Sequence, residues 1–307
     1  MANDAPELPS TTIVDRPALD AGSLGLVFGF LGVLAFSFTL PFTRIAAPEL
    51  GGVFTGIGRA LLAATLAIAI LRLRREPWPA RRYWWPLVLV AAGTVFGCGL
   101  LASIAMEHLP AAHGVVVVGL LPAATAVMGV LRAGERPGVA FWLACAAGVV
   151  AVLVFAAVQG AGRPHAGDAL LLAAVVLASL GYAEGAIMAR EIGGWRVICW
   201  ALVFATPLLL TITAVLVARD GLPRGGAEAW LSFVYLGSVS MLLGFFPWYR
   251  GLALGGVARV GQIQLVQPVL SLIWAAFLLG ERISPGTALA SLLVIASAAL
   301  SRLTRDR

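Results

Sequence analysis

The chain has 307 residues, 60% of them hydrophobic and only 12% charged, with a formal net charge of +6 and a mean hydropathy of +0.95. Soluble domains carry roughly 25% charged residues, so the composition excludes a soluble enzyme or soluble binding module and points to a membrane protein. All 21 basic residues are arginine, and their placement speaks for topology and against a nucleic-acid partner.

Residues 1–21 are polar, contain Pro6, Pro9 and Pro17, and read as a disordered tail. They lack the basic start of a signal peptide, and the apolar run behind them is too long for one, so the first span is expected to stay in the mature protein. Ten stretches then meet the roughly 20 apolar residues that a helix needs to cross the hydrocarbon core. They lie at 22–43, 52–71, 83–105, 111–131, 139–158, 167–189, 195–218, 229–249, 257–279 and 286–303. The breaks between them are short, such as Arg74-Arg75-Glu76-Pro77 and Gly134-Glu135-Arg136-Pro137, which leaves no room for a soluble catalytic domain. The expected organisation is a tail (1–21), five spans (22–158), five more (167–303) and a second tail (304–307).

In the first span Ser37, Thr39 and Thr43 stand beside Phe36, Phe38 and Phe42; hydroxyls there either bond to the preceding turn or face a cavity. The second span carries Arg59, which can snorkel outward or face the interior. Trp84 and Trp85 open the third span as expected interfacial anchors, and Ser103 lies deeper. His113 falls near the outer end of the fourth span, with Pro122 further in. In the sixth, Tyr182 and Glu184 share the segment Gly181-Tyr182-Ala183-Glu184-Gly185. That carboxylate reaches cytoplasmic water, pairs with an arginine such as Arg190 or Arg250, or serves as a proton site or a contact for a substrate ammonium. The eighth span has Tyr235, Ser238 and Ser240, with Trp248 and Tyr249 as anchors at its cytoplasmic end. Tyr182 and Tyr235 lie deeper and suit stacking on an organic solute. The ninth brings Gln262, Gln264, Gln267 and Pro268 together; buried amides need partners, from neighbouring helices or from a cavity. Cys98, Cys145 and Cys199 sit in apolar spans as small hydrophobes, with no disulfide framework or metal spacing.

With ten spans, both tails and the even loops share one side. That side holds 15 arginines and the other five, with Arg59 inside a span. Positive residues collect on the cytoplasmic side, so both termini are expected in the cytoplasm of a bacterial-type inner membrane. A repeat supports the layout: Gly134-Glu135-Arg136 recurs as Gly280-Glu281-Arg282, 146 residues on, and the same offset carries Pro122 onto Pro268 and Thr125 onto Ser271. An offset near half the length marks two related halves. Five spans being an odd number, the second half enters the membrane from the opposite side. Inverted repeats of this kind recur in secondary transporters, with the substrate site near the midplane. Both prolines lie about 11 residues into their spans, ~16 Å at ~1.5 Å per residue, where they are expected to kink the helix and act as hinges.

Each half also carries small residues, a central proline and a terminal Gly-Glu: Ala105–Ala112 leading to Pro122 and Gly134-Glu135, and Gly251–Gly256 leading to Pro268 and Gly280-Glu281. This pattern, over roughly 22–303, resembles the drug/metabolite transporter superfamily in its ten-helix EamA-like branch. The resemblance implies two inverted five-helix repeats, with helices 1–4 and 6–9 around a central cavity and helices 5 and 10 peripheral. It also implies export of small solutes, amino acids foremost. His108 is a departure, standing where many relatives carry an aromatic residue.

The expectation is therefore an all-α polytopic membrane protein that exports small metabolites, amino acids including aromatic ones, by alternating access. The residues expected along the path are Ser37, Thr39, Ser103, His113, Tyr182, Glu184, Tyr235, Ser240, Gln264 and Gln267. The partners are a small-molecule substrate and the lipid bilayer, with no nucleic acid. No phosphate-cradling loop appears, so no cofactor or nucleotide is expected. An intramembrane enzyme would need paired aspartates, a His-Glu-x-x-His metal site or a Ser-His set, and the spans supply none. A scaffold or accessory subunit is the remaining alternative, and a dry, filled centre would favour it.

Overall fold

The computed structural model describes residues 20–108, 117–139, 142–143, 145–147, 149–150 and 166–279. Every regular element among them is helical. Among the described residues, seven helical stretches are long and apolar enough to cross a membrane: Ala21–Leu50, Gly52–Leu73, Arg81–Glu107, Ala169–Ile192, Gly194–Asp220, Ala227–Gly255 and Val257–Leu278. Leu121–Ala133 is a shorter apolar helix. Of the ten expected spans, the fourth and fifth fall only in part on described residues and the tenth outside them. The described residues are thus those of an all-helical, multi-pass membrane protein.

The first span consists of α1 (Ala21–Ser37) and α2 (Thr39–Leu50), and is longer than its apolar run suggests. Arg44 and Pro48 look like an end. However, Ala46 and Leu50 are buried against Ala229, Phe233 and Leu236 of the eighth span, and this burial carries the helix onward. Gly51, at φ 82°, then ends it. The links after the sixth and eighth spans are also single glycines in the left-handed region, Gly193 (φ 88°) and Gly256 (φ 86°). Few other residues adopt that backbone, and it permits a reversal within one residue. The second span is α3 (Gly52–Leu73).

Both the third and the eighth span change winding midway. The third comprises α4 (Trp84–Val90), a π-helical stretch at Ala91–Leu101, and α5 (Ala102–His108). The fourth shows α6 (Leu121–Ala133); the sixth and seventh are α7 (Ala166–Ile192) and α8 (Gly194–Asp220). The eighth comprises α9 (Ala227–Tyr235), a second π-helical stretch at Leu236–Leu243, and α10 (Phe245–Gly255). The two π stretches begin at residues 91 and 236, 145 apart.

The prolines match in the same way. A turn at Gly119–Leu120 precedes α6, and Pro122 is the second residue of that helix. The ninth span runs as α11 (Val257–Gly261), a 3-10 stretch at Gln262–Val266, and α12 (Gln267–Leu279), in which Pro268 is again second. Proline lacks an N–H, which costs nothing in the first turn of a helix. Each proline therefore stands where a broken helix restarts.

Helices α1 and α10 meet backbone to backbone. A Cβ placed on Gly25 would lie 2.6 Å from the amide nitrogen of Gly255 and 3.0 Å from the carbonyl of Gly251; one on Gly32 would lie 2.8 Å from Trp248 Cβ. Small residues allow this approach between membrane helices. Behind the seam lies an aromatic core of Phe36, Phe245, Trp248, Tyr249 and Tyr182, with ring centres 4.9–6.1 Å apart.

Two sequence expectations are corrected here. Trp248 and Tyr249 are fully buried and do not anchor at an interface. Gly185 of α7 admits the Tyr249 ring, Gly194 of α8 lies against its Cβ and backbone, and its hydroxyl donates to the Gly181 carbonyl at 3.2 Å. Tyr182 is likewise closed into this core at 4% exposure, with no free face for a solute. Trp84 and Trp85 are exposed, at 43% and 69%.

Candidate functional site

The interruption in the ninth span turns its polar side chains inward. Gln264, Gln267, Pro268 and Ser271 line a recess closed on its other sides by Leu40, Val118 and Leu121. It has about 240 Å³ of atom-free space, its open mouth included, and within the protein it is little wider than a water molecule. Gln264 accepts from Thr125 Oγ1 at 3.4 Å, and Gln262 Nε2 reaches the carbonyl of Pro122 at 3.4 Å. The break at Pro122 thus faces the break at Pro268. Gln264 Nε2 is buried and has no partner among the described residues.

Beside this wall the first span supplies a second polar patch. Ser37 bonds back to Leu34 at 2.7 Å and accepts from Trp274 Nε1 at 2.9 Å, while its carbonyl accepts from Ser271 Oγ at 2.7 Å. Thr39 and Ser240 share a hydrogen bond of 2.7 Å, and Tyr235 donates to the Ala35 carbonyl at 3.1 Å. Around them Phe38 stacks on Trp274 at 4.3 Å, and Tyr235 lies 5.7 Å from Phe38 and 4.7 Å from Phe42. All four rings are half-buried. Half-buried aromatic rings next to hydroxyls and amides suit an organic solute with a polar end.

The opposite end of the bundle is sealed by charge. Gly134 ends α6 in the left-handed conformation (φ 65°). Its turn swings the Glu135 carboxylate onto the start of α11, where it accepts from the amides of Val257 (2.6 Å) and Ala258 (2.7 Å). Arg190 approaches the same carboxylate at 3.9 Å. Glu184 is paired with Arg132, and not with Arg190 or Arg250 as the sequence suggested. Arg250 instead lies 4.6 Å over the Phe28 ring. Helices α6 and α7 pack along their length, which puts Arg132 next to Glu184, a neighbour that sequence separation does not reveal.

Of the expected path residues, Gln264, Gln267 and Pro268 gather at the recess, with Pro122 across from it. Ser37, Thr39, Tyr235 and Ser240 gather at the adjoining patch. Glu184 is at the sealed end and Tyr182 in the aromatic core. Ser103 is buried on the third span, donating to Gly99 at 2.8 Å, and His113 lies outside the described residues. Glu135, Arg132, Ser271 and Trp274 were missed as site residues. The doubled Gly-Glu motif was the signal for Glu135, and the Thr125–Ser271 match was the signal for Ser271.

Membrane-length helices broken at two prolines, with polar groups turned inward at the breaks, are the build of a solute transporter. The profile of the EamA-like transporter family matches residues 23–157 and again 165–303. The chain belongs to that family and is a transporter and not an enzyme. It is 45% identical over 278 residues, 91% of this chain and 96% of the other, to "Uncharacterized transporter YdeK" of Bacillus subtilis (strain 168). It is 28% identical over 261 residues, 82% and 84% of the two chains, to the "Probable terminal-alkyne amino-acid exporter" of Streptantibioticus cattleyicolor. A protein of known crystal structure superposes with a TM-score of 0.71 at 22% identity, covering 92% of this chain and 98% of its own. That likeness speaks for the fold alone.

Proposed function

We propose that the protein is a secondary transporter of the bacterial inner membrane that exports small metabolites, amino acids including aromatic ones among them. Export proceeds by alternating access between two inverted five-helix repeats. The observation that carries this reading is the facing pair of breaks, at Pro122 and at Pro268, with the glutamine-lined recess between them. Support for the repeat comes from the double family match and from the π stretches 145 residues apart. The amino-acid preference is supported by the one relative named as an amino-acid exporter and by the half-buried aromatic rings beside hydroxyls and amides.

Both termini are cytoplasmic in this reading, which puts the Glu135 and Arg132 contacts at the cytoplasmic face. Ser271 then lies about 14 residues, or ~21 Å at ~1.5 Å per residue, above that face. The recess, from Gln264 at ~10 Å to Ser271, straddles the middle of the membrane, and the conformation is closed towards the cytoplasm. Reaching the other state requires the Glu135 clamp and the glycine seam to part, with the proline breaks as hinges.

The test is uptake into liposomes by the purified protein, competed with a panel of amino acids and amines. Gln267→Leu and Tyr235→Ala should lower transport with expression intact, each polar contact contributing about 1–2 kcal/mol. Wild-type rates in both variants would move the site elsewhere. Cysteines placed at residues 10 and 305 should resist labelling from outside intact cells; labelling of either would overturn the inverted topology.

A further inference from the structure

The second span holds two polar side chains without adequate partners. Arg59 is 3% exposed and Thr55, one turn earlier, is 0%; residues four apart share a helix face. Arg59 donates through Nη2 to the carbonyl of Gly99 at 2.9 Å, an oxygen that Ser103 Oγ also reaches, at 2.8 Å. Nε and Nη1 of Arg59 and Oγ1 of Thr55 have no partner among the described residues. No described carboxylate forms an ion pair with Arg59: Glu184 is taken by Arg132 and Glu76 by Arg196. Buried charges in proteins are paired, and a lone one inside a membrane marks function.

The surroundings are those of a working site and not of a packing accident. Gly99 belongs to the first π stretch. The methyl of Met241, from the second, lies 2.9 Å from where a Gly99 Cβ would be, and Arg59 Nη2 lies 3.7 Å from the same point. The backbone of Arg59 packs on Gly237, also of the second stretch. The guanidinium is therefore held where the two π-helical stretches come together, and such departures from α-winding cluster at functional sites. Ala102, next to Ser103, packs in one cluster with Leu40, a wall of the recess. With Nη2 carrying a second hydrogen beside a free nitrogen, the group still offers a two-point fork of the kind that grips a planar oxyanion.

We propose that Arg59 is an anion site on the transport path and binds the carboxylate of the carried solute, with Thr55 as a second donor. This rests on the reading of the protein as an exporter of amino acids or similar metabolites. The missing counter-charge is then the cargo's own, which confers preference for acids over amines of the same shape.

The full-length protein, purified in detergent, decides this by thermal stability against a panel of amino acids, each with its decarboxylated amine. Chloride and phosphate are run at matched ionic strength. Wild type should rise in Tm by roughly 3 °C with a bound amino acid at ten times its Kd, and not with the corresponding amine. Arg59→Met should fold, be at least as stable without solute, and lose the rise; Arg59→Lys, which keeps the charge without the fork, should need about tenfold more amino acid. The proposal is overturned if the Met variant keeps the full rise, if amines match their amino acids, or if no amino acid moves the wild type. An equal rise with chloride or phosphate also overturns it, in favour of an inorganic anion. Wild type that is stabilised but carries nothing in liposomes refutes export and leaves the site standing. Equal amino-acid transport by wild type and Arg59→Met refutes the site and leaves export standing.

Discussion

Glu135→Gln tests the closed end of the molecule most directly. The carboxylate holds two backbone amides of α11 at 2.6 and 2.7 Å from a side chain 19% exposed. Hydrogen bonds to a charged group contribute about 1.5–3 kcal/mol each. Glutamine keeps one acceptor oxygen, turns an NH2 towards the other amide, and gives up the charge, so a loss of about 2 kcal/mol is expected. If the clamp exists only while the cytoplasmic side is shut, that loss raises the population of the open state about 30-fold. Val260 is the reporter: it is fully buried, between Gly29 and Gly255 at the seam. In inside-out vesicles, labelling of Val260→Cys by an impermeant maleimide proceeds through rare opening and scales with that population. Native Cys199, fully buried in α8, controls for unfolding. The expected result is a rise of about 30-fold at position 260 with Cys199 unchanged, as follows from the same 2 kcal/mol. Labelling at 260 within twofold of the reference would refute the clamp, and a parallel rise at Cys199 would show unfolding instead.

Breaking the Arg132–Glu184 pair should be asymmetric. Arg132→Met strands a carboxylate 6% exposed, whereas Glu184→Gln leaves an arginine side chain 47% exposed that water can take. The first should therefore cost more, by about 1–3 kcal/mol in chemical denaturation; equal losses would contradict the burial argument. Gly25→Ala puts a Cβ 2.6 Å from the backbone of Gly255, which cannot rotate away, and should destabilise by about 1–3 kcal/mol. Gly138→Ala meets nothing within 4 Å and should be neutral in the same melt. Glu76, in the loop before the third span, takes two 2.8 Å bonds from Arg196, which hold its carboxyl below the ordinary value of 4.5. A lowered folded-state value means stability that is present above the ordinary value and lost as pH falls through the folded one. Arg196 is 40% exposed, so the effect is about 0.5–1 kcal/mol. Tm should fall on acidification from about pH 6 to pH 3, and Glu76→Gln should flatten that fall; an unchanged slope would remove the pair from the account.

Helix placement was legible because apolar runs and membrane thickness leave little choice. The second, third, sixth, seventh, eighth and ninth spans lie within a few residues of their predicted ends, apart from the eighth, which continues to Gly255. Pro122 and Pro268 were legible as matched interruptions because proline removes the same backbone donor wherever it stands. What the sequence hid depends on which helices are neighbours. Trp248 looks like an anchor until Gly32 of α1 makes room for it, and Tyr249 until Gly185 of α7 does. Glu184 has several arginines at plausible depth, and only the packing of α6 on α7 selects Arg132. The π stretches leave no compositional mark, so the crowding around Arg59 was legible only as a charge in an apolar span.

The glycine seam between α1 and α10 has a consequence for how the two halves can move. Interlocked side chains give a helix contact a corrugated surface: to slide, each knob must leave its hole and find a new rotamer. Where Gly25, Gly29 and Gly32 meet Gly244, Gly251 and Gly255, much of the contact is backbone on backbone, and few side chains, Val260 and Trp248 among them, have to be moved. In the proposed cycle such a joint works as a clasp: held shut by the close approach of two backbones, and opened with few rotamers to reset.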